Sequence, residues 1–82
     1  MPQWIFWDPL AKAQMRKIDR VTAMQIFKCI QRLRDGSGDV VPMVGYNPPA
    51  MRLKVGAYRV VFRQQGDHFH ILEVGSRGSI YR

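Results

Sequence analysis

Three basic residues are clustered in the stretch RLKVGAYRVVF, residues 52–62. Arg52 and Lys54 are two positions apart, and Arg59 follows a glycine-alanine pair. Side chains two residues apart in a strand lie on one face, and glycine at the first central position suits a type II′ hairpin turn. Such a hairpin places Lys54 opposite Arg59 and Arg52 opposite Val61. Guanidinium and ammonium groups gathered in this way bind phosphate groups.

The same hairpin separates apolar from basic side chains by the alternation of a strand. One face carries Leu53, Val55, Tyr58, Val60 and Phe62, and the other carries Arg52, Lys54, Arg59, Val61 and Arg63. Like charges directly opposite each other destabilise an isolated hairpin. We therefore expect the apolar face to pack against helices and the basic face to hold an anion.

The composition of the chain agrees with a nucleic-acid partner. The 82 residues contain 13 Lys and Arg against 6 Asp and Glu, a net charge of +7, and 46% hydrophobic residues. This length predicts one globular domain over residues 1–82, and the charge excess attracts polyanions. A basic domain that is merely soluble is the alternative, and charge alone does not decide between them.

Several classes of protein are disfavoured by what the sequence lacks. No apolar run approaches a membrane span, and residues 1–10 do not read as a signal peptide, so we expect a cytoplasmic protein without membrane contact. Cys29 is the single cysteine, and its place in a helical pattern predicts a packed thiol. We expect neither a metal nor another cofactor.

The remaining segments predict the elements that surround the hairpin. A strand at 3–6 leads to Asp8-Pro9, a helix start. Helical spacing of apolar residues predicts helices near 9–18 and 20–35, ended by Gly36. A short strand near 40–44 carries Pro42, which predicts an edge position.

A last strand over 68–74 is nearly continuous in apolar residues, which predicts an interior position. Its alternation breaks between Ile71 and Leu72, which indicates either a β-bulge or contacts on both faces of the strand. The predicted fold class is therefore α+β, with two N-terminal helices packed on one face of a small, mainly antiparallel sheet.

The stretch RLKVGAYRVVF, followed by LEVGSRGSIYR at the C-terminus, resembles the RelE/ParE superfamily. These proteins are the toxin half of bacterial toxin-antitoxin pairs. The resemblance extends over most of the chain and includes the AKAQMRKID and VPMVGY segments. Within the family, the YR and GxR strands and the terminal tyrosine favour a RelE-like toxin, which implies cleavage of mRNA in the ribosomal A site without a metal. ParE-like members inhibit DNA gyrase instead.

The resemblance also implies site residues. Arg59, Arg77 and Tyr81 match positions that RelE-like toxins use for cleavage, while Arg52, Lys54 and Arg63 are expected to hold RNA. Arginines suit a phosphorane of increased negative charge, but they stay protonated in proteins and are therefore poor bases. Tyr81, or one of His68 and His70, is the candidate acid or base. The alternatives are that Tyr81 stacks on a base and that both histidines are ordinary solvent-exposed strand residues. Where RelE members carry a further lysine, this chain has Ala50.

Three functions remain open at this stage. The first is a ribosome-dependent mRNA endoribonuclease that blocks translation, and the second is a gyrase inhibitor. The third is an inactive basic module that binds RNA or only its antitoxin. The implied partners are mRNA on the ribosome and a cognate antitoxin, encoded by a neighbouring gene, whose acidic and apolar residues wrap this domain.

Overall fold

The computed structural model describes residues 3–80 as one five-stranded sheet with helices on one face. In chain order the elements are β1 Ile5–Trp7, α1 Pro9–Lys17, α2 Arg20–Arg32, a 3-10 turn Leu33–Asp35, β2 Asp39–Met43, β3 Ala50–Val55, β4 Tyr58–Gln65, β5 His68–Ser76 and α3 Arg77–Ile80. The strand order is β1-β5-β4-β3-β2, with β1 parallel to β5 and the other neighbours antiparallel. The predicted fold class is confirmed.

Both long helices begin at an aspartate whose side chain accepts a backbone hydrogen bond. The Leu10 N–H donates to Asp8 Oδ1 at 2.9 Å, with proline at the first helical position, and the Thr22 N–H donates to Asp19 Oδ2 at 3.0 Å. Hydrogen bonds from the Thr22 side chain and then from its backbone hold the pKa of Asp19 below its usual value of 3.8. The Asp19 cap therefore stabilises the fold fully at pH values above the usual pKa of aspartate. This stabilisation is lost as the pH falls through the lowered pKa of Asp19 in the folded state.

The helix boundaries follow the sequence closely. The last turn of the second predicted helix is the 3-10 turn, and Gly36 ends it in the left-handed conformation at φ 79°.

None of the helices within residues 3–80 is long and apolar enough to cross a membrane.

The core lies between the two long helices and one face of the sheet. Its buried side chains include Ala11, Ile26, Ile30, Leu53, Val60, Phe62, Phe69, Ile71 and Val74. Cys29 is half-buried against this core, as predicted. Leu10 is 52% exposed although it is apolar, because its neighbour Ala11, about 100° further around the helix, takes the position against the sheet.

The register of the sheet confirms the predicted hairpin. Lys54 lies opposite Arg59 and Arg52 opposite Val61. Gly56 has φ 56°, and no non-glycine residue within 3–80 has a positive φ. A type I′ turn needs a positive φ at both central residues, Gly56 and Ala57, whereas a type II′ turn needs a positive φ at the first one alone, which is Gly56. The predicted turn is therefore the one that fits.

The predicted irregularity in the last strand is also present. Val61 lies opposite Glu73, but the next residue, Phe62, lies opposite Ile71, so Leu72 is the extra residue of a bulge in β5. Because the bulge reverses the alternation, His70 and Glu73 both lie on the face away from the helices. β2, which contains Pro42, is an edge strand, and β5 is interior, as predicted.

The Asp8 cap generates a test of the fold. Asp8→Ala should lower the free energy of unfolding by about 1 kcal/mol, the usual cost of removing an N-cap acceptor. Asp8→Ser keeps an acceptor oxygen and should retain most of that stability. Urea unfolding measures both variants, and equal loss in the two would show that the cap is not what Asp8 contributes.

Candidate nucleic-acid interface

Two rows of side chains cross the sheet on the face that the helices leave open. One row runs Asp39, Lys54, Arg59, Gly75, and the next runs Val41, Arg52, Val61, Glu73. Their neighbours along each strand, such as Leu53 and Val60, point into the core. Val61 is fully buried although it lies on this open face, which indicates that the long side chains around it cover it with their aliphatic parts.

An open cavity of about 740 Å³ lies at one end of this face. Its lining residues are Asp39, Arg52, Lys54, Arg59, Arg77 and Gly78. The structure thus brings together four of the cations that the sequence predicted as site residues, from β3, β4 and the start of α3. We call this feature the arginine cavity.

Arg59 is the buried cation of the arginine cavity, only 6% exposed. Its Nη1 donates to the backbone carbonyls of Gly56 at 2.8 Å and Tyr58 at 2.9 Å, and its Nε is buried with no hydrogen-bond partner within residues 3–80. No ion pair in that range joins Arg59 to a carboxylate. A desolvated cation without a counter-charge is costly, so an anion in the cavity would be strongly favoured.

Arg77 reaches the cavity through a short helix folded against the sheet. The sequence placed Arg77 on a strand, and the structure instead places it at the first residue of α3, where its N–H donates to Ala57 O at 2.9 Å. A Cβ at Gly75 would lie 2.6 Å from Ser79 Oγ. A side chain at this position would therefore require either that Ser79 leave its hydrogen bond to Ser76 O or that α3 move away from β5.

Arg63 lies on the open face but outside the arginine cavity. It stands four residues along β4 from Arg59, roughly 13 Å away at the usual rise of a strand. Its Nε donates to Pro48 O at 3.1 Å, which ties it to the loop between β2 and β3. The structure does not bring Arg63 together with the other cations, and its expected role in RNA binding stays a prediction.

The two histidines lie at the opposite end of β5 from the arginine cavity. His68 and His70 are seven and five residues before Gly75, which faces Arg59, and this separation is roughly 16 to 23 Å. His68 lies 3.4 Å from the Asp67 carboxylate. Neither histidine therefore reaches a phosphate held by Arg59 and Arg77, because a proton transfer needs hydrogen-bond distance.

Tyr81, predicted as catalytic, lies outside the described residues 3–80, and its role stays a prediction. Asp39 was not among the predicted site residues, yet it lines the cavity opposite Lys54. The register of β2 against β3 places it there, and the loop of prolines and glycines between these strands hides that register from the sequence.

The family to which the chain belongs can be decided by comparison with known proteins. Residues 5–81 match the family described as the ParE toxin of type II toxin-antitoxin system, parDE. The chain is a ParE-family toxin. The match covers both long helices and the whole sheet, and with the fold it confirms membership of the RelE/ParE superfamily, as the YR and GxR motifs indicated.

Solved structures of RelE toxins share the fold of this ParE-family toxin. RelE in the RelB-RelE complex of Methanococcus jannaschii matches with a TM-score of 0.74 and 20% identity over 93% of this chain and 94% of that one. RelE in the complex from Pyrococcus horikoshii matches with a TM-score of 0.72 and 17% identity over 95% of this chain and 98% of that one. Isolated Escherichia coli RelE matches with a TM-score of 0.72 and 18% identity over 95% of this chain and 89% of that one. A search of curated protein sequences finds no significant match.

Gly75 provides a test of the geometry of this toxin's cavity. Gly75→Ala should push α3 and Arg77 away from the sheet and weaken binding of inorganic phosphate several-fold. The control is the double variant Gly75→Ala/Ser79→Ala, which removes the hydroxyl that the new methyl group would meet and should therefore recover phosphate binding. Titration followed by the Arg77 amide resonance measures both variants, and unchanged phosphate binding in Gly75→Ala would refute the close approach.

Proposed function

We propose that this toxin is a metal-independent, ribosome-dependent mRNA endoribonuclease that acts in the cytoplasm and blocks translation. The observation that carries the proposal is the buried guanidinium of Arg59, which forms no ion pair within residues 3–80 and lies in a cavity with Arg52, Lys54 and Arg77. Preorganised donors in a site of low dielectric stabilise developing negative charge far better than donors in water. A phosphate under attack is the chemistry that such a site suits.

The proposed reaction is attack of a ribose 2′-oxygen on the adjacent phosphorus, with departure of the 5′-oxygen of the next nucleotide. The forked donors of Arg59 and Arg77 would bind the non-bridging oxygens, whose negative charge grows in the phosphorane. Arg52 and Lys54 would hold the flanking phosphates. A cyclic 2′,3′-phosphate and a 5′-hydroxyl end are the products.

The reaction also needs an acceptor for the 2′-hydroxyl proton and a donor for the leaving oxygen. Arginine side chains are poor acceptors because they stay protonated. Asp39 is the carboxylate that lines the cavity within residues 3–80, and Tyr81 is the acceptor that the family resemblance implies. Asp39→Asn and Tyr81→Phe, compared in single-turnover cleavage, distinguish the two.

Inhibition of DNA gyrase is the second candidate function, since the matching family is that of ParE toxins. The two functions differ in the process that stops first in cells that express the toxin. Pulse labelling with an amino acid and with thymidine separates them. Translation should stop first if the nuclease proposal is right, whereas early arrest of replication with continued translation would favour gyrase.

A cognate antitoxin is the proposed protein partner. RelE of the archaeal relatives is found in complex with RelB. On the helical side of this chain, a groove of about 430 Å³ lies between α1 and α2. Its apolar residues are Trp7, Met15, Ala23, Met24 and Phe27, and its basic residues are Lys12, Arg16 and Arg20. This interhelical groove suits an amphipathic antitoxin segment with acidic residues at its borders.

Transition-state and binding roles should separate kinetically. With toxin in excess over ribosome-bound mRNA, Arg77→Ala should lower the single-turnover cleavage rate roughly a hundredfold or more, the scale of losing one preorganised donor. Lys54→Ala should mainly weaken binding and reduce its salt dependence. Lys28→Ala, an exposed cation of α2, is the control. RNA binding without cleavage by the wild type would indicate the inactive basic module instead.

The interhelical groove gives a prediction for the antitoxin. Arg20→Glu should weaken binding of the neighbouring gene's product about tenfold or more through like-charge repulsion, while cleavage is retained. Lys28→Glu, on α2 but outside the groove, should bind as the wild type does. Calorimetric titration measures both, and equal affinities of the two variants would place the antitoxin elsewhere.

A further inference from the structure

A second feature of the open sheet face lies away from the arginine cavity and is aromatic. Phe6 on β1 lies beside His70 of β5 in the register of the sheet, and it is 52% exposed. Its ring contacts that of His68, with centroids 5.3 Å apart and planes tilted by 40°. Arg63 completes the row, opposite His70.

The direction of Phe6 distinguishes it from the other exposed apolar residues. Its neighbours Ile5 and Trp7 contact the core, so Phe6 points to the opposite side, the same side as Arg52, Lys54 and Arg59. The interhelical groove opens on the helical side. An antitoxin segment lying in that groove would therefore leave Phe6 uncovered.

We propose that Phe6 and His68 form a stacking platform for an unpaired base of single-stranded RNA whose backbone passes through the arginine cavity. This inference rests on the proposed nuclease function. Aromatic side chains on a positively charged face are the usual means of holding unpaired bases. Phe6 lies roughly 16 Å from Arg59, as given by four residues along β4 and two strand spacings across the sheet, a distance that a single strand spans in a few nucleotides.

Arg63 supplies a positive charge between Phe6 and the arginine cavity. Its Nε is engaged by Pro48 O, and no hydrogen bond to either Nη group is recorded within residues 3–80. The guanidinium is therefore held in place while keeping donors for a phosphate of the same strand.

The test compares RNA length with the side chain at position 6. The probes are a dinucleotide and a single strand of about eight nucleotides, within the range bound by single-strand modules, both 2′-O-methylated to prevent cleavage and carrying 2-aminopurine. Phe6→Ala should weaken binding of the long probe about tenfold, the scale of losing one stacked base, and reduce quenching of its fluorophore. Binding of the dinucleotide should be unchanged.

Three variants accompany Phe6→Ala. Phe6→Leu keeps apolar volume without a ring and should weaken binding of the long probe as Phe6→Ala does. Phe6→Trp keeps an aromatic ring and should bind the long probe at least as tightly as the wild type. Leu10→Ala, which removes an equally exposed side chain on the helical side, should bind both probes as the wild type does. Thermal unfolding of each variant shows that it is folded.

Several results would overturn the platform. One is that Phe6→Ala or Phe6→Leu binds the long probe as tightly as the wild type does. Another is that Phe6→Ala weakens binding of both probe lengths equally, and a third is that the wild type does not bind single-stranded RNA. If Phe6→Ala weakens antitoxin binding and leaves RNA binding intact, the surface is a protein interface. Failure of the nuclease proposal is separate, since a toxin that binds RNA in the length-dependent way but never cleaves mRNA on ribosomes would keep the platform.

Discussion

The burial of the Arg59 guanidinium is the constraint on which the candidate site depends. A cation removed from water loses hydration worth several kcal/mol unless other groups replace it. Two carbonyls of the β3–β4 turn replace part of that hydration, and no carboxylate within residues 3–80 forms an ion pair with Arg59. The folded chain therefore keeps an unsatisfied preference for an anion at one fixed point, and this preference is what the nuclease proposal uses.

The tight turn at Gly56 and Ala57 organises both catalytic candidates that the structure describes. The Gly56 carbonyl accepts from Arg59 Nη1, and the Ala57 carbonyl accepts from the backbone N–H of Arg77. A two-residue loop has little freedom, so the relative position of Arg59 and Arg77 is set by backbone geometry. The helices contribute indirectly, because they cover the apolar face and leave the basic face open.

Local patterns were enough to predict the hairpin register, the caps at Asp8 and Gly36 and the bulge near Leu72, since each depends on neighbouring residues. The positions of residues that depend on contacts with distant parts of the chain could not be predicted from local patterns. The cavity position of Asp39 depends on pairing across the loop between β2 and β3, and the helical turn at Arg77 depends on the space above Gly75. The histidines share a face with the arginines, but the length of β5 separates them from the cavity.

Mapping of mRNA ends in a translation extract tests the central claim most directly. With purified wild-type toxin, the nuclease proposal predicts new 5′-hydroxyl ends within codons at the ribosomal A site, cyclic phosphate on the upstream fragments, and intact mRNA when ribosomes are absent. Full-length mRNA on stalled or active ribosomes at every toxin concentration, together with inhibition of supercoiling by purified gyrase, would contradict it.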